Sequence, residues 1–198
     1  MPPDRVNLSR ETSPITRPRI APARRPAVFL DPSGALADVL LPAGARAAIR
    51  ALRAAGYALV VVTDQPDVAR GLFPIEALGR VRARLEDQLG APLDGFYVCP
   101  HHPDGSVPAF ATDCICRKPL PGMLTRAARD LRLDLARSWT LGDLPRHLEA
   151  GARAGCRTAL IAPDTTARSH REPTLVAADL AEAIRQILES QHCSPALS

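Results

Sequence analysis

A chain of 198 residues with 46% apolar content can build one substantial core. Its formal charge of +4 sits in a tail: residues 1–26 carry Arg5, Arg10, Arg17, Arg19, Arg24 and Arg25 against Asp4 and Glu11, and the remainder balances 19 basic with 19 acidic residues. With no basic face carrying interleaved aromatics, no run of about 18 apolar residues and no apolar leader core, nucleic acid, a membrane span and a signal peptide are all excluded as readings. The expected compartment is the cytoplasm, in keeping with clustered thiols that lack an even-numbered disulfide framework.

Proline at 2, 3, 14, 18, 22 and 26, with few apolar residues between, predicts that residues 1–26 cannot bury enough surface to fold. The folded domain is expected over 27–190, with a flexible C-terminus at 191–198. Ala27-Val28-Phe29-Leu30-Asp31 reads as a buried strand ending in a carboxylate, broken by Pro32-Ser33-Gly34. Pro42 opens a helical pattern through Ile49 and Leu52 that Gly56 closes. Tyr57–Thr63 is a second strand, stopped by Asp64-Gln65-Pro66, and a helix follows from about Pro74 to Leu89. Gly95–Val98 is a third strand. After Pro121-Gly122 a helix runs to about Leu131, Ser138–Leu141 is a fourth strand ending in Gly142-Asp143, and Pro145–Ala154 is a helix closed by Gly155. Thr158–Ile161 is a fifth strand, and Thr174–Ser190 reads as one amphipathic helix with Leu175, Leu180, Ile184, Ile187 and Leu188 inward. Alternating strands and helices predict an α/β fold: a single doubly wound parallel sheet with helices on both faces, no large cap domain, and a binding edge at the strands' C-terminal ends.

Between the third strand and the next helix lie Cys99-Pro-His101-His102 and Cys114-Ile-Cys116-Arg117-Lys118. Two short-spaced pairs that close a loop are the signature of a structural Zn²⁺ site, in which four nitrogen and sulfur donors form a tetrahedron. Cys99, His101, Cys114 and Cys116 are the expected ligands. His102 is the rival to His101, which is preferred because alternate residues of an extended chain point the same way. A loop pinned in this way aims Arg117 and Lys118 at a fixed spot, where a planar fork and a point charge suit phosphate.

Asp31, Thr63 and Asp143 stand at strand ends along the same edge, and Lys118 arrives there from the zinc loop. Asp31 and Asp143 could share a Mg²⁺, while Thr63 and Lys118 take phosphoryl oxygens. A carboxylate so placed can attack phosphorus and carry it as an aspartyl-phosphate.

Over about residues 27–190 the chain resembles the haloacid-dehalogenase (HAD) superfamily of aspartate-nucleophile phosphotransferases. Within it, the nearest likeness is to the sugar-phosphate phosphatases acting on heptose bisphosphate. Phe29-Leu30-Asp31 before Gly34 carries that resemblance, together with Thr63, Gln65 and Ala69-Arg70-Gly71. So do Cys99-Pro100-His101-His102-Pro103, Cys114-Ile115-Cys116-Arg117-Lys118-Pro119, Pro121-Gly122-Met123 and Gly142-Asp143. It implies Asp31 as nucleophile, Asp143 as a Mg²⁺ ligand, Lys118 as the phosphate-bridging lysine and Arg117 as a substrate contact. Thr63, Asp64 and Gln65 fall in its substrate-binding segment. A monomer acting on a small phosphorylated sugar is the expectation.

The chain departs from the family at four positions. Ser33 replaces the second aspartate, the acid/base that protonates the leaving sugar oxygen and then activates water. Such a group typically contributes about 10²–10⁴-fold, and a serine hydroxyl is far too weak an acid to replace it. Asp64 replaces an asparagine, adding negative charge unless nearby acids raise its pKa. Leu144 replaces a lysine, and His147 stands where a second metal-site aspartate is expected. The plainer expectation for His147 is a histidine on the surface of its helix; the sharper one is a nitrogen donor that turns metal choice away from Mg²⁺. Two functional readings follow: a slow phosphatase, or a catalytically silent, zinc-stabilised binding protein.

Overall fold

The computed structural model describes residues 23–31, 44–162 and 172–192. Six strands form one parallel sheet in the order β3-β2-β1-β4-β5-β6. They are β1 (Ala27–Leu30), β2 (Ala58–Asp64), β3 (Gly95–Cys99), β4 (Trp139–Gly142), β5 (Arg157–Ile161) and β6 (Leu175–Ala177). The Ala-Leu-Val-Val-Val-Thr run of β2 is buried throughout, as a strand covered on both faces requires, and its β-branched side chains suit a pleated surface. Leu30 pairs in register with Val61 on one side and Leu141 on the other. The ends of β1 and β4 therefore lie side by side where the strand order reverses.

The helices are α1 (Ala45–Ala54), α2 (Pro66–Ala69), α3 (Leu78–Leu89), α4 (Gly122–Asp130), α5 (Pro145–Arg153) and α6 (Leu180–His192). On one face Ile49 and Leu52 of α1, Leu85 and Leu89 of α3, and Ile184 and Ile187 of α6 pack against Val28, Leu59 and Val61. On the other, Met123, Leu124 and Ala127 of α4 and Ala150 of α5 pack against Phe29, Val60 and Val62. Each fully buried Leu, Ile, Val or Phe contributes about 1.5–3 kcal/mol, so both layers help to hold the sheet between them. Gly56 follows α1 at φ 85°, a left-handed position where glycine ends a helix without steric cost.

Three elements differ from the sequence expectation. Residues 174–190 do not form one helix: Leu175-Val176-Ala177 adds a sixth strand beside β5, and the helix starts at Leu180. A capping box sets that start, because the Asp179 carboxylate accepts from the Glu182 backbone at 2.9 Å and Glu182 reaches back to the Ala178 N–H at 2.8 Å. Pro66–Ala69 forms a short helix directly after β2. The end of the presumed tail is also part of the fold, since the Arg25 carbonyl accepts from Asp134 and the Pro26 carbonyl from Ala58, both at 2.9 Å. The Arg25 guanidinium adds an ion pair with Asp94 at 2.7 Å. Residues 1–22, Ser33, Gly34, Pro42 and 193–198 lie outside the described residues.

Candidate active site and metal centre

The β3 strand ends at Cys99 and delivers the chain into the loop, where four donors converge. The Cys99 Sγ lies 3.4 Å from Cys114 Sγ and 3.9 Å from His101 Nδ1. Cys116 Sγ is 3.2 Å from Cys114 Sγ and 3.3 Å from His101 Nδ1. With Zn–S near 2.3 Å and Zn–N near 2.0 Å, tetrahedral ligands stand about 3.5–3.8 Å apart, so this donor set fits a zinc ion with small adjustments. It is the one such group among the described residues in which three or more donors come within 4.8 Å of one another. His102 is not in this group, and its Nδ1 accepts from the Asp104 backbone at 3.1 Å. Burial pushes the Cys99 thiol well above its ordinary pKa, while bonds from the neighbouring thiols hold Cys114 below it despite burial.

Arg117 and Lys118 follow the last thiol but part company. Arg117 bends back, donating to the His101 carbonyl at 3.0 Å and tying down the loop. Lys118 runs inward, is 4% exposed, donates to the Val62 carbonyl at 2.9 Å and forms an ion pair with Asp31. Asp31 itself sits just past β1 with its side chain 7% exposed. Burial works against its charge, but the imidazole of His147 and the ammonium of Lys118 outweigh it, and the pKa lies below the usual aspartate value. Asp31 is thus held in its charged form, with Lys118 and His147 beside it.

Around this pair, Thr63 is buried and its hydroxyl accepts from the Gln65 side chain at 3.0 Å. Asp64 accepts from the Lys118 backbone at 3.4 Å. Its pKa is raised, chiefly by burial; the Asp31 charge adds a smaller push and Lys118 opposes both. The expectation of a raised pKa is met, although desolvation and not neighbouring acids is the main cause. Arg146, which the sequence reading did not single out, brings Nε to 3.9 Å of Asp64 and places a half-exposed cation at the rim. No sequence signal marked it, since its partner is set by how α5 seats on β4 and β5 and brings its first turn toward the end of β2.

His147 corrects the plainer expectation outright, because it is 1% exposed. Its helical neighbours on the inner face, Ala150 and Gly151 at i+3 and i+4, are buried as well, and this periodicity was the available signal. The ring spans two carboxylates: Nε2 lies 2.7 Å from Asp31 Oδ2 and Nδ1 lies 3.3 Å from Asp143 Oδ1. Both contacts are close, but they are set off the direction that a ring N–H hydrogen bond needs. Asp143, expected to share Mg²⁺ with Asp31, is half-exposed at the end of β4, so the imidazole lies where an ion common to both would have to sit. As folded, these residues do not fit that ion.

A family model described as HAD-hydrolase-like matches residues 115–183. The D-glycero-beta-D-manno-heptose-1,7-bisphosphate 7-phosphatase of Yersinia pestis is 39% identical over 149 residues, spanning 69% of this chain and 79% of that protein. The enzyme of the same name from Rhodopseudomonas palustris is 37% identical over 145 residues, spanning 67% of this chain and 81% of its own. A solved D,D-heptose 1,7-bisphosphate phosphatase from B. bronchiseptica, complexed with magnesium and phosphate, superposes with a TM-score of 0.67 at 33% identity, covering 84% of this chain and 99% of that one.

Proposed function

The chain belongs to the HAD-like hydrolases, in the branch of the heptose bisphosphate phosphatases, and from that premise we propose that it hydrolyses a sugar phosphate, slowly, through an aspartyl-phosphate on Asp31. The observation that carries this is the buried Asp31–Lys118 ion pair at the strand-order reversal, beside the Thr63 hydroxyl. An ionised carboxylate aimed at the anion position is what a nucleophile on phosphorus needs.

In this reading Lys118 and Thr63 receive the phosphoryl oxygens, with Gln65 holding the Thr63 hydroxyl and Arg117 and Asp64 bordering the substrate. One Asp31 oxygen forms a bond to phosphorus as the bond to the sugar oxygen breaks, and the leaving oxygen keeps the electron pair and must take a proton. Ser33, at the position that supplies that proton in the family, is too weak an acid, which makes this the slow step. Water then attacks the aspartyl-phosphate, freeing inorganic phosphate and restoring the Asp31 carboxylate. Zn²⁺ on Cys99, His101, Cys114 and Cys116 would hold the loop that presents Lys118. The expected setting is a cytoplasmic monomer acting on a small phosphorylated sugar of the heptose bisphosphate kind.

A second reading, a silent binding protein, is favoured by the His147 ring standing against Asp31. The deciding measurement is phosphate release from heptose bisphosphate and from an aryl phosphate by purified protein, with and without added magnesium. Release that disappears in Asp31→Asn supports the phosphatase. No release from either substrate, even in Ser33→Asp combined with Asp64→Asn and His147→Asp, would make the binding protein the better reading.

A further inference from the structure

The parts of the site that the proposed reaction leaves unused are His147 and the half-exposed Asp143. His147 is held as firmly as any core residue: it is 1% exposed, and its ring lies across the end of β4 at a point where only glycine leaves room. A Cβ on Gly142 would come within 2.6 Å of the His147 Cβ and 2.7 Å of Nδ1. The glycine therefore serves as the seat of the imidazole. From that seat the ring reaches Asp31 with Nε2 and Asp143 with Nδ1. Its two nitrogens are on opposite flanks of a rigid five-membered ring, so the carboxylates are bridged by the ring and do not converge on a common point. Among the described residues no second group of three donors converges as the zinc ligands do.

A magnesium ion has different needs. It takes oxygen donors at about 2.0–2.1 Å in a near-octahedral shell and keeps several waters. The space between Asp31 and Asp143 would have to be empty of side chain and open to solvent for such a shell. Here it holds an aromatic ring seated on Gly142, and the Asp31 oxygen that the ring meets, Oδ2, is also the one paired with Lys118.

We infer that the His147 imidazole stands in place of the divalent cation between Asp31 and Asp143, so that this chain takes up no Mg²⁺ there. The inference rests on reading Asp31 and Asp143 as the acid pair of the active site, and it sets this protein apart from the B. bronchiseptica relative, which was solved in complex with magnesium. Lys118 is then the cation that faces Asp31, with the His147 ring beside it.

Magnesium binding to the zinc-loaded, full-length protein is measured without substrate, by calorimetry and by the shift in melting temperature up to about 10 mM Mg²⁺. This separates the inference from turnover, because a protein that hydrolyses nothing can still bind or refuse the ion. Wild type is expected to give no heat and no shift. His147→Asp, which replaces the ring with an oxygen donor, and His147→Ala, which only clears the space, are expected to bind Mg²⁺ at least about tenfold more tightly than wild type, a difference of about 1.4 kcal/mol. Either variant carries the test if the other fails to fold. Wild type that binds Mg²⁺ as tightly as the variants overturns the inference, and so do folded variants that still take up none. Mn²⁺ uptake by wild type that is lost in His147→Ala also overturns it, since the ring would then be a ligand and not a substitute.

Discussion

His147 Nε2 lies 2.7 Å from Asp31 Oδ2, joining the start of α5 to the end of β1 at the centre of the binding edge. The contact couples a helix packed on β4 to the residue proposed to attack phosphorus. It also has a dependence that can be tested away from the histidine itself. Gly142→Ala should push the ring out of its seat, at a cost of about 1–3 kcal/mol for overpacking. For a domain of this size the melting temperature should fall by about 2–4 °C per kcal/mol. An unchanged melting temperature would mean that the ring has room to move.

Removing a zinc ligand should unpin the loop that carries Lys118. Cys114→Ser is expected to lower the bound zinc from one ion per chain to less than one and to reduce thermal stability, because metal binding energy is folding energy at such a site. Elemental analysis of the purified variant and its melting curve check this together, and full zinc content in the variant would sink the ligand assignment.

The chain before β1 should divide into a dispensable and a required part. Deleting residues 1–22 is expected to leave the melting temperature within about 2 °C, less than about 1 kcal/mol moves it. Deleting 1–26 also removes the Arg25 and Pro26 carbonyls that accept from Asp134 and Ala58. Two lost hydrogen bonds at about 1 kcal/mol each should lower the melting temperature by about 4–8 °C. Equal melting temperatures for the two deletions would contradict the docking of this segment.

Asp64 is expected to weaken the fold at neutral pH. Its folded pKa is raised, so its charged form is disfavoured in the native state; the associated stability is present below the unfolded value and lost as pH rises through the folded one. Asp64→Asn should therefore be more stable than wild type at pH 7.5, by a margin that shrinks as pH falls toward about 4. Asp31 behaves oppositely: its pKa is lowered, so its contribution is present above the unfolded value and fades as pH falls through the folded one. Urea unfolding of Asp64→Asn across this range gives the sign directly, and a margin that grows on acidification would refute it.

If the missing acid limits turnover, leaving-group chemistry should reveal it. An aryl phosphate needs little protonation of its leaving oxygen and should be cleaved far faster than an alkyl sugar phosphate. Ser33→Asp should raise sugar-phosphate turnover by up to about 10²–10⁴-fold. Steady-state rates on the two substrates test this, and equal rates in wild type would place the defect elsewhere.

What the sequence determined by itself is what depends on spacing along the chain. The alternation of buried strands and helices specifies a parallel sheet, because each crossover of this hand returns the chain to the same edge, and Asp31, Thr63 and Asp143 follow from their places at strand ends. The zinc donors belong here too, since C-x-H and C-x-C pairs bring their ligands together over two residues of backbone. What only the tertiary structure decided is what depends on how separate elements land on one another. Leu175-Val176-Ala177 is too short to be told from a helical turn until β5 offers it an edge to pair with. Pro26 joins the fold as a buried residue whose carbonyl accepts from the Ala58 N–H. Whether His147 faced water or Asp31 was settled by the seating of α5 against β4, where Gly151 meets Thr140 and Gly142 makes room for the ring. Burial is a property of the pair of surfaces, and one helix's sequence holds only half of it.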